Sequence, residues 1–402
     1  MQHSDSFIQT TTAGSLPRTE TLIDAYSRRV DGEEVPDFDR LLADGVGEVV
    51  AHQREVGLRI PGDGEYGKSM ACAVDYGAWW SYIFDRVDGL EIDDRGDAFT
   101  ADVRSTPGHI RLTGFAHRRD RTVFADAYAD PESGIYTKPK KRNPFPKASG
   151  PIHYVGQGQV ARDLANFRAA LDASGYDDGF ITALSPGSAA RITNDHYASE
   201  EEFIWAWADV LHEEYKAILD AGLTLQIDDP SIAENFDQIT PEPSVADYVA
   251  FTRTRIEALN HALEGLDQDR VRLHICWGSW HGPHTTDLEF RHLIDLVLEA
   301  NVGGYSFEAA NARHEHEWTV WRDHRLPDGK VILPGVVSHA TNVVEHPELV
   351  AQRIERFAGL VGRENVIAST DCGLGGRVHP HIAWAKLQSL AEGARIATER
   401  LF

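Results

Sequence analysis

Three cysteines are spread over 402 residues, and two of them stand in company that could bind a metal. Cys276 closes His274-Ile275-Cys276 at the end of one apolar run, and Cys372 lies in Asp371-Cys372-Gly373 at the end of another. Residues i and i+2 of a strand point to the same face, so His274 and Cys276 can grip one ion together. Cys372 would complete a soft His, Cys, Cys donor set of the kind that suits Zn2+, with Glu308 as an oxygen ligand. A lone H-x-C is equally well explained by a buried thiol and a satisfied core histidine; the arrival of both cysteines at strand ends favours the metal. Zinc held by two thiolates is a poor Lewis acid for hydrolysis but can bind a substrate thiol, lower its pKa and present it as a nucleophile. That chemistry is S-alkylation. Glu65 and Asp228 could hold a substrate ammonium, or act as helix caps and supports for other ligands, and His339 could protonate a leaving group. Cys72 has no such company and reads as structural, within an aromatic cluster.

These residues need a frame that brings distant segments to one mouth. Apolar runs alternate with amphipathic helical stretches, the pattern of an α/β protein with parallel strands. The candidate strands are 7–13, 57–61, 179–183, 223–228, 271–276, 304–308, 331–337 and 365–370, and eight strands close a (β/α)8 TIM barrel. In that fold the active site forms at the C-terminal strand ends, where all the residues above fall. Ser199 opens an S-x-x-E capping box with Glu202 and a helix running to Gly222; a second helix starts at Pro347 and stops at Gly362.

The chain reads as a single catalytic domain, 1–402, with an insertion, 66–159, between the second and third strands that would cover one end of the barrel. The insertion holds Tyr76, Trp79, Trp80, Tyr82 and Phe84, and two alternating runs, near 110–115 and 123–128, that predict hairpins. Residues 138–150 carry Lys138, Lys140, Lys141, Arg142 and Lys147 without an acid, although the chain has only eight lysines. This loop is either a solvated surface or oligomer arm, or a landing site for an anionic substrate tail.

With 39 basic and 63 acidic side chains, the formal charge of −24 argues against nucleic-acid partners and anionic membranes, which need clustered cations. The start, MQHSDSFIQT, lacks a signal pattern, no apolar run is long enough to span a bilayer, and the few cysteines suit a reducing compartment. The expected location is cytoplasmic; the expected partners are a small-molecule thiol and an alkyl donor, with a homo-oligomer left open.

The ordered set AGSLPRT, DGEYGKSM, LQIDDP, HIC, SFEAANARHE and DCGLGGR resembles the catalytic C-terminal barrel of cobalamin-independent methionine synthase. The resemblance implies zinc on His274, Cys276, Glu308 and Cys372, homocysteine held near Ser15 and by Glu65 and Asp228, and His339 as proton donor to the methyl carrier. It implies methyl transfer from a methyl-folate or another donor to homocysteine or a similar thiol. The two-barrel synthases carry an N-terminal barrel that this chain would lack. Their I-D-E-P is Ile227-Asp228-Asp229-Pro230 here, their D-C-G-L-K ends in Gly375, and HICWGSWHGPH differs from their continuation after H-x-C. Epoxyalkane:coenzyme M transferase, a short single-barrel relative, is similar too and would use the same thiolate to open an epoxide. A barrel like uroporphyrinogen decarboxylase would have no use for the metal set, and a metal hydrolase would want H-x-H on its first strand.

Overall fold

The computed structural model describes residues 1–70, 77–93, 95–96, 100–135 and 145–402. In chain order its strands are β1 (Gln9–Thr10), β2 (Val87–Ile92), β3 (Pro146–Tyr154), β4 (Phe180–Leu184), β5 (Thr193–Asn194), β6 (Thr224–Asp228), β7 (Val271–Ile275), β8 (Gly304–Phe307), β9 (Val331–Val337) and β10 (Ile367–Thr370). Seven of them form one curled parallel sheet in the order β1-β10-β9-β8-β7-β6-β4. Seven of the eight expected strands are therefore present. The expected strand 57–61 is not one. Gly57 turns at φ 92°, and Pro61 has no N–H to give a ladder. The segment still touches both edges of the sheet. The N–H groups of Arg59 and Ile60 donate to Thr10 O on β1 (3.1 and 2.9 Å), Phe180 N–H on β4 donates to Pro61 O (2.9 Å), and Gly62 bridges Phe180.

Inside the curl, apolar side chains fill the end where the strands begin: Phe180, Val331 and Ile367 each start a strand and pack with Ile60 and Leu333. Polar residues take over above them. Arg272 stacks on the Phe180 ring at 3.6 Å and donates to Gln226 Oε1 (2.8 Å), Thr11 Oγ1 (3.1 Å) and Thr12 O (2.8 Å). Gln226 then donates to Ala13 O and to Asp228 Oδ1. Period-two alternation carries these rows upward, from Gln226 to Asp228 on β6 and from Arg272 to His274 on β7. Asp228 is level with His274, and His274 with Ser306 on β8. The buried polar row thus ends in site residues at the C-terminal strand ends.

Both expected helices form. Ser199 Oγ accepts Glu202 N–H and Glu202 Oε2 accepts Ala198 N–H, both at 3.0 Å, before the helix Glu200–Asp220, which ends two residues short of Gly222. The other helix spans Pro347–Val361 and ends at Gly362, φ 89°.

Within 66–159, β2 and β3 pair antiparallel, and β5, from beyond β4, adds parallel to β3. The expected hairpins are absent among the described residues. Segment 110–114 is irregular, and 123–128 falls in the short helices Arg119–Val123 and Ala125–Ala129. The i, i+4 spacing of Phe124 and Tyr128 fits a helical turn as well as a strand, and the Tyr128 hydroxyl donates to Asp120 Oδ2 at 2.8 Å. Cys72, Tyr76 and Lys138 to Arg142 lie outside the described residues. Lys147 belongs to β3 and pairs with Asp195 at 3.2 Å.

This excursion meets the segments that follow three strands of the main sheet. Trp80 Nε1 donates to Ser188 O after β4, Arg118 pairs with Glu234 after β6, and Asp120 Oδ1 accepts Thr285 N–H after β7. Glu214 on the helix Glu200–Asp220 accepts from the Tyr82 and Tyr154 hydroxyls (2.8 and 2.7 Å) and from Arg86 (3.3 Å), which fastens the excursion to the barrel side. Among the described residues, no helix is long and apolar enough to cross a membrane.

Candidate metal and substrate site

His274, Cys276 and Cys372 converge from the ends of β7 and β10, with an imidazole nitrogen and both sulfurs within 4.8 Å of one another. His274 and Cys276 are buried, 3% and 7% exposed. The strand pleat puts His274 across from Ser306, and Nδ1 lies 3.0 Å from the Ser306 hydroxyl. Nε2 is buried without a hydrogen-bond partner. Such an orphan costs about 1–3 kcal/mol unless another group takes it. One imidazole nitrogen beside a hydroxyl and the other without a partner is how a metal-binding histidine is set up. Cys372 is drawn well below the usual thiol range, chiefly by the Cys276 thiol and then by His274, while Cys276 is pushed up by the same contact. The residues present fit a thiophilic divalent ion.

Glu308 stands beside this trio and groups within 4.8 Å of His339 and Asp371. Its Oε1 accepts Trp277 N–H (3.0 Å) and its Oε2 accepts Asn311 Nδ2 (2.6 Å), so each oxygen keeps a lone pair free. Burial pushes its carboxyl up to about 8, against the opposing pull of His314. His314 stacks on Trp277, ring centroids 4.1 Å apart, between Asp287 (3.1 Å) and Glu317 (3.0 Å). Asp371 is spent on the fold: its Oδ1 accepts the N–H groups of Ala309 and Ala310 (2.7 and 2.8 Å) and its Oδ2 accepts Asn311 Nδ2. His339 is 2% exposed, its Nδ1 has no partner, and burial pushes it down to about 3, so it is neutral at pH 7.

Glu65, Asp228 and Ser15 lie at strand ends beside this group. Glu65 sits at φ 61°, a left-handed conformation that costs a non-glycine residue about 1–3 kcal/mol and that clusters at functional sites. Arg18, from the AGSLPRT motif, holds this turn by donating to the carbonyls of Glu65 and Lys68. Glu65 Oε1 accepts Thr182 Oγ1 at 2.9 Å and reaches so near Gly14 that a Cβ there would stand 2.6 Å from it. Asp228 is buried, its carboxyl raised to about 7 by burial, with Lys68 the largest opposing charge. Ser15 turns its carbonyl to the N–H groups of Leu374 and Gly375 (2.8 and 2.9 Å), which joins the G-S-L-P turn to the D-C-G turn, and its Oγ has no partner. A Cβ on Gly375 would meet Leu16 O at 2.4 Å, so this close approach demands glycine where the resembled motif has lysine.

All eight residues singled out in the sequence thus lie on the C-terminal side of the sheet, in two adjoining groups: the metal donors with His339, and the Ser15, Glu65, Asp228 pocket. Lys68, Thr182, Ser306 and Asn311 were not singled out. Ser306 had a signal, since it precedes Glu308 by two on one strand; Lys68 lay inside DGEYGKSM. Thr182 had none, because only the fold brings β4 to Glu65.

Residues 172–395 match the family model for the cobalamin-independent synthase catalytic domain. The methionine synthase of Thermococcus kodakarensis is 23% identical over 401 residues, 98% of this chain and 94% of its own length. The 2-hydroxypropyl-CoM lyase of Xanthobacter autotrophicus is 27% identical over 238 residues, 52% of this chain and 59% of its own. Among solved structures, a B12-independent methionine synthase from Shewanella sp. W3-18-1, in complex with selenomethionine, shares the fold with a TM-score of 0.70 at 20% identity, covering 98% of this chain and 99% of that one. With more than half of its length matched, the chain belongs to the cobalamin-independent methionine synthase family of methyltransferases, through its catalytic domain.

Proposed function

We propose that this protein is a zinc-dependent thiol methyltransferase that moves a methyl group from a methyl-folate or other donor to homocysteine or a similar thiol. The convergence of His274, Cys276 and Cys372 around a bare His274 Nε2 carries this reading. His274, Cys276 and Cys372 would hold Zn2+, with Glu308 next to them as oxygen ligand. When bound, the ion would supply acidity to a substrate thiol, making it a thiolate at neutral pH. Ser15, Glu65 and Asp228 would orient the amino-acid end of that thiol. His339, neutral and dry, would face the leaving group and donate an N–H hydrogen bond to the negative charge that develops there. In the same reading, 1–402 is one cytoplasmic catalytic domain, segment 58–62 is the eighth stave of a (β/α)8 barrel, and 66–159 is an insertion over its mouth; the contacts of 58–62 with both β1 and β4 support the closure.

Elemental analysis of the purified protein should give about one zinc per chain, lost in Cys276→Ser and in Cys372→Ser. Purified enzyme that transfers methyl groups without metal would refute the proposal. Growth of a methionine auxotroph on the gene, with methyl transfer from methyl-folates in vitro, tests the substrates. A second reading, epoxide opening by a zinc-bound coenzyme M thiolate, draws support from the lyase relative. The ammonium-binding pair Glu65 and Asp228 weighs against it, because coenzyme M has a sulfonate and no amine.

A further inference from the structure

Lys68 is one of the chain's eight lysines and is 5% exposed at the mouth of the sheet. Its ammonium donates to Thr182 Oγ1, stands 3.6 Å from Glu65 Oε1, and lies over the Tyr82 ring at 4.5 Å. An ammonium has three N–H donors, and among the described residues only the one to Thr182 is at hydrogen-bonding distance. Burying a lysine is expensive, and a salt bridge at 3.6 Å with no matching hydrogen bond offsets that cost only partly. Arg18, donating to the carbonyls of Glu65 and Lys68, keeps the Lys68 backbone in place.

Lys68 stands 3.6 Å from Glu65, and the charges of both act on the buried carboxyl of Asp228, so two carboxylates and one ammonium share this part of the mouth. Asp228 sits level with the metal donor His274 on the neighbouring strand, which places this charge triplet directly against the donor cluster. A thiol with a free amine and no acid would leave Lys68 unanswered. A thiol with an acid and no amine would put its anion among two carboxylates. A zwitterion answers all three charges, its cation between Glu65 and Asp228 and its anion on the spare N–H groups of Lys68.

Resting on the proposed thiol methyltransferase, we infer that Lys68 binds the carboxylate of an α-amino-acid thiol, so that Lys68 with Glu65 and Asp228 selects a zwitterionic substrate. The test is thiol titration of the full-length, cobalt-substituted enzyme, followed by the sulfur-to-cobalt charge-transfer absorption, with homocysteine, homocysteine amide, which keeps the amine and lacks the carboxylate, and 2-mercaptoethanesulfonate. In the wild type, homocysteine should bind more tightly than either of the others. Lys68→Met should weaken homocysteine about 10- to 100-fold, the size of a lost charge-assisted hydrogen bond, and should change the amide less than about threefold. Lys68→Arg should recover much of the loss. Equal weakening of homocysteine and its amide in Lys68→Met would make Lys68 a merely structural residue and overturn this inference while leaving the methyltransferase reading intact. A wild type that prefers the sulfonate would overturn both.

Discussion

Ser306→Ala isolates what the second hydrogen bond of a metal-binding histidine contributes. His274 and Ser306 are register partners on β7 and β8, 3% and 1% exposed, and Nδ1 stands 3.0 Å from the hydroxyl. In the proposed metal-bound state, Nδ1–H would donate to the Ser306 hydroxyl, which would fix the tautomer and leave the Nε2 lone pair for the ion. Removing the hydroxyl has two effects. It leaves a buried N–H unsatisfied, at about 1–3 kcal/mol, and it frees the imidazole to adopt the other tautomer or to rotate. Supporting partners of this kind typically change metal affinity 10- to 100-fold, about 1.4–2.8 kcal/mol, which agrees with the hydrogen-bond figure. The assay is competition for zinc between the full-length protein and a chromogenic chelator, with Cys276→Ser as the control that removes a ligand outright. Ser306→Ala should lose about 10- to 100-fold in zinc affinity and Ser306→Thr, which keeps a hydroxyl, much less. If folded Ser306→Ala holds zinc within about twofold of the wild type, the tautomer reasoning is wrong, and with it the assignment of Nε2 as the donor.

Stability should depend on His314 in a definite pH window. Burial opposes its charge, but hydrogen bonds to Asp287 and Glu317 outweigh it and raise its pKa to about 10. A raised histidine stabilises fully below its unfolded pKa of about 6.5 and loses that contribution as pH climbs toward 10. The wild type should therefore melt at a falling temperature between those limits, and His314→Asn, which leaves Asp287 to His284 and Glu317 to the Phe290 N–H, should be less stable at pH 7 and show a flatter profile. Glu214→Ala breaks three hydrogen bonds between the excursion and the helix Glu200–Asp220; a loss of about 3–5 kcal/mol in chemical unfolding is expected, and a loss below about 1 would deny the network that role. Gly375→Lys, which restores the residue of the resembled motif, should lower the melting temperature because its Cβ would meet Leu16 O at 2.4 Å. An unchanged melt would mean the two turns can move apart.

Much of the site was legible before any coordinates. The H-x-C spacing works because strand geometry is local, and His274 and Cys276 do share a face. The eight-strand count failed at 57–61, where apolar composition suggested a strand but Gly57 and Pro61 leave only scattered bonds to its neighbours. The predicted hairpins failed for a related reason: a run of six residues carries too few periods to separate two-residue from 3.6-residue spacing.

What the sequence determined by itself was the class of chemistry and the segments that carry it. Donor types, the i, i+2 spacing, the capping residues and the glycine stops are properties of short stretches, and short stretches kept their meaning in the fold. Only the tertiary structure decided which atoms meet. It brought His274 to Cys276 and Cys372 with Ser306 beside its Nδ1, set Glu308 against His339 and Asp371, and buried Lys68 between Glu65 and Thr182, residues separated by as many as 117 positions along the chain. Sheet order and the close approach of two turns govern those meetings, and they are set by the packing of the whole curled sheet and its helices, which no local pattern contains.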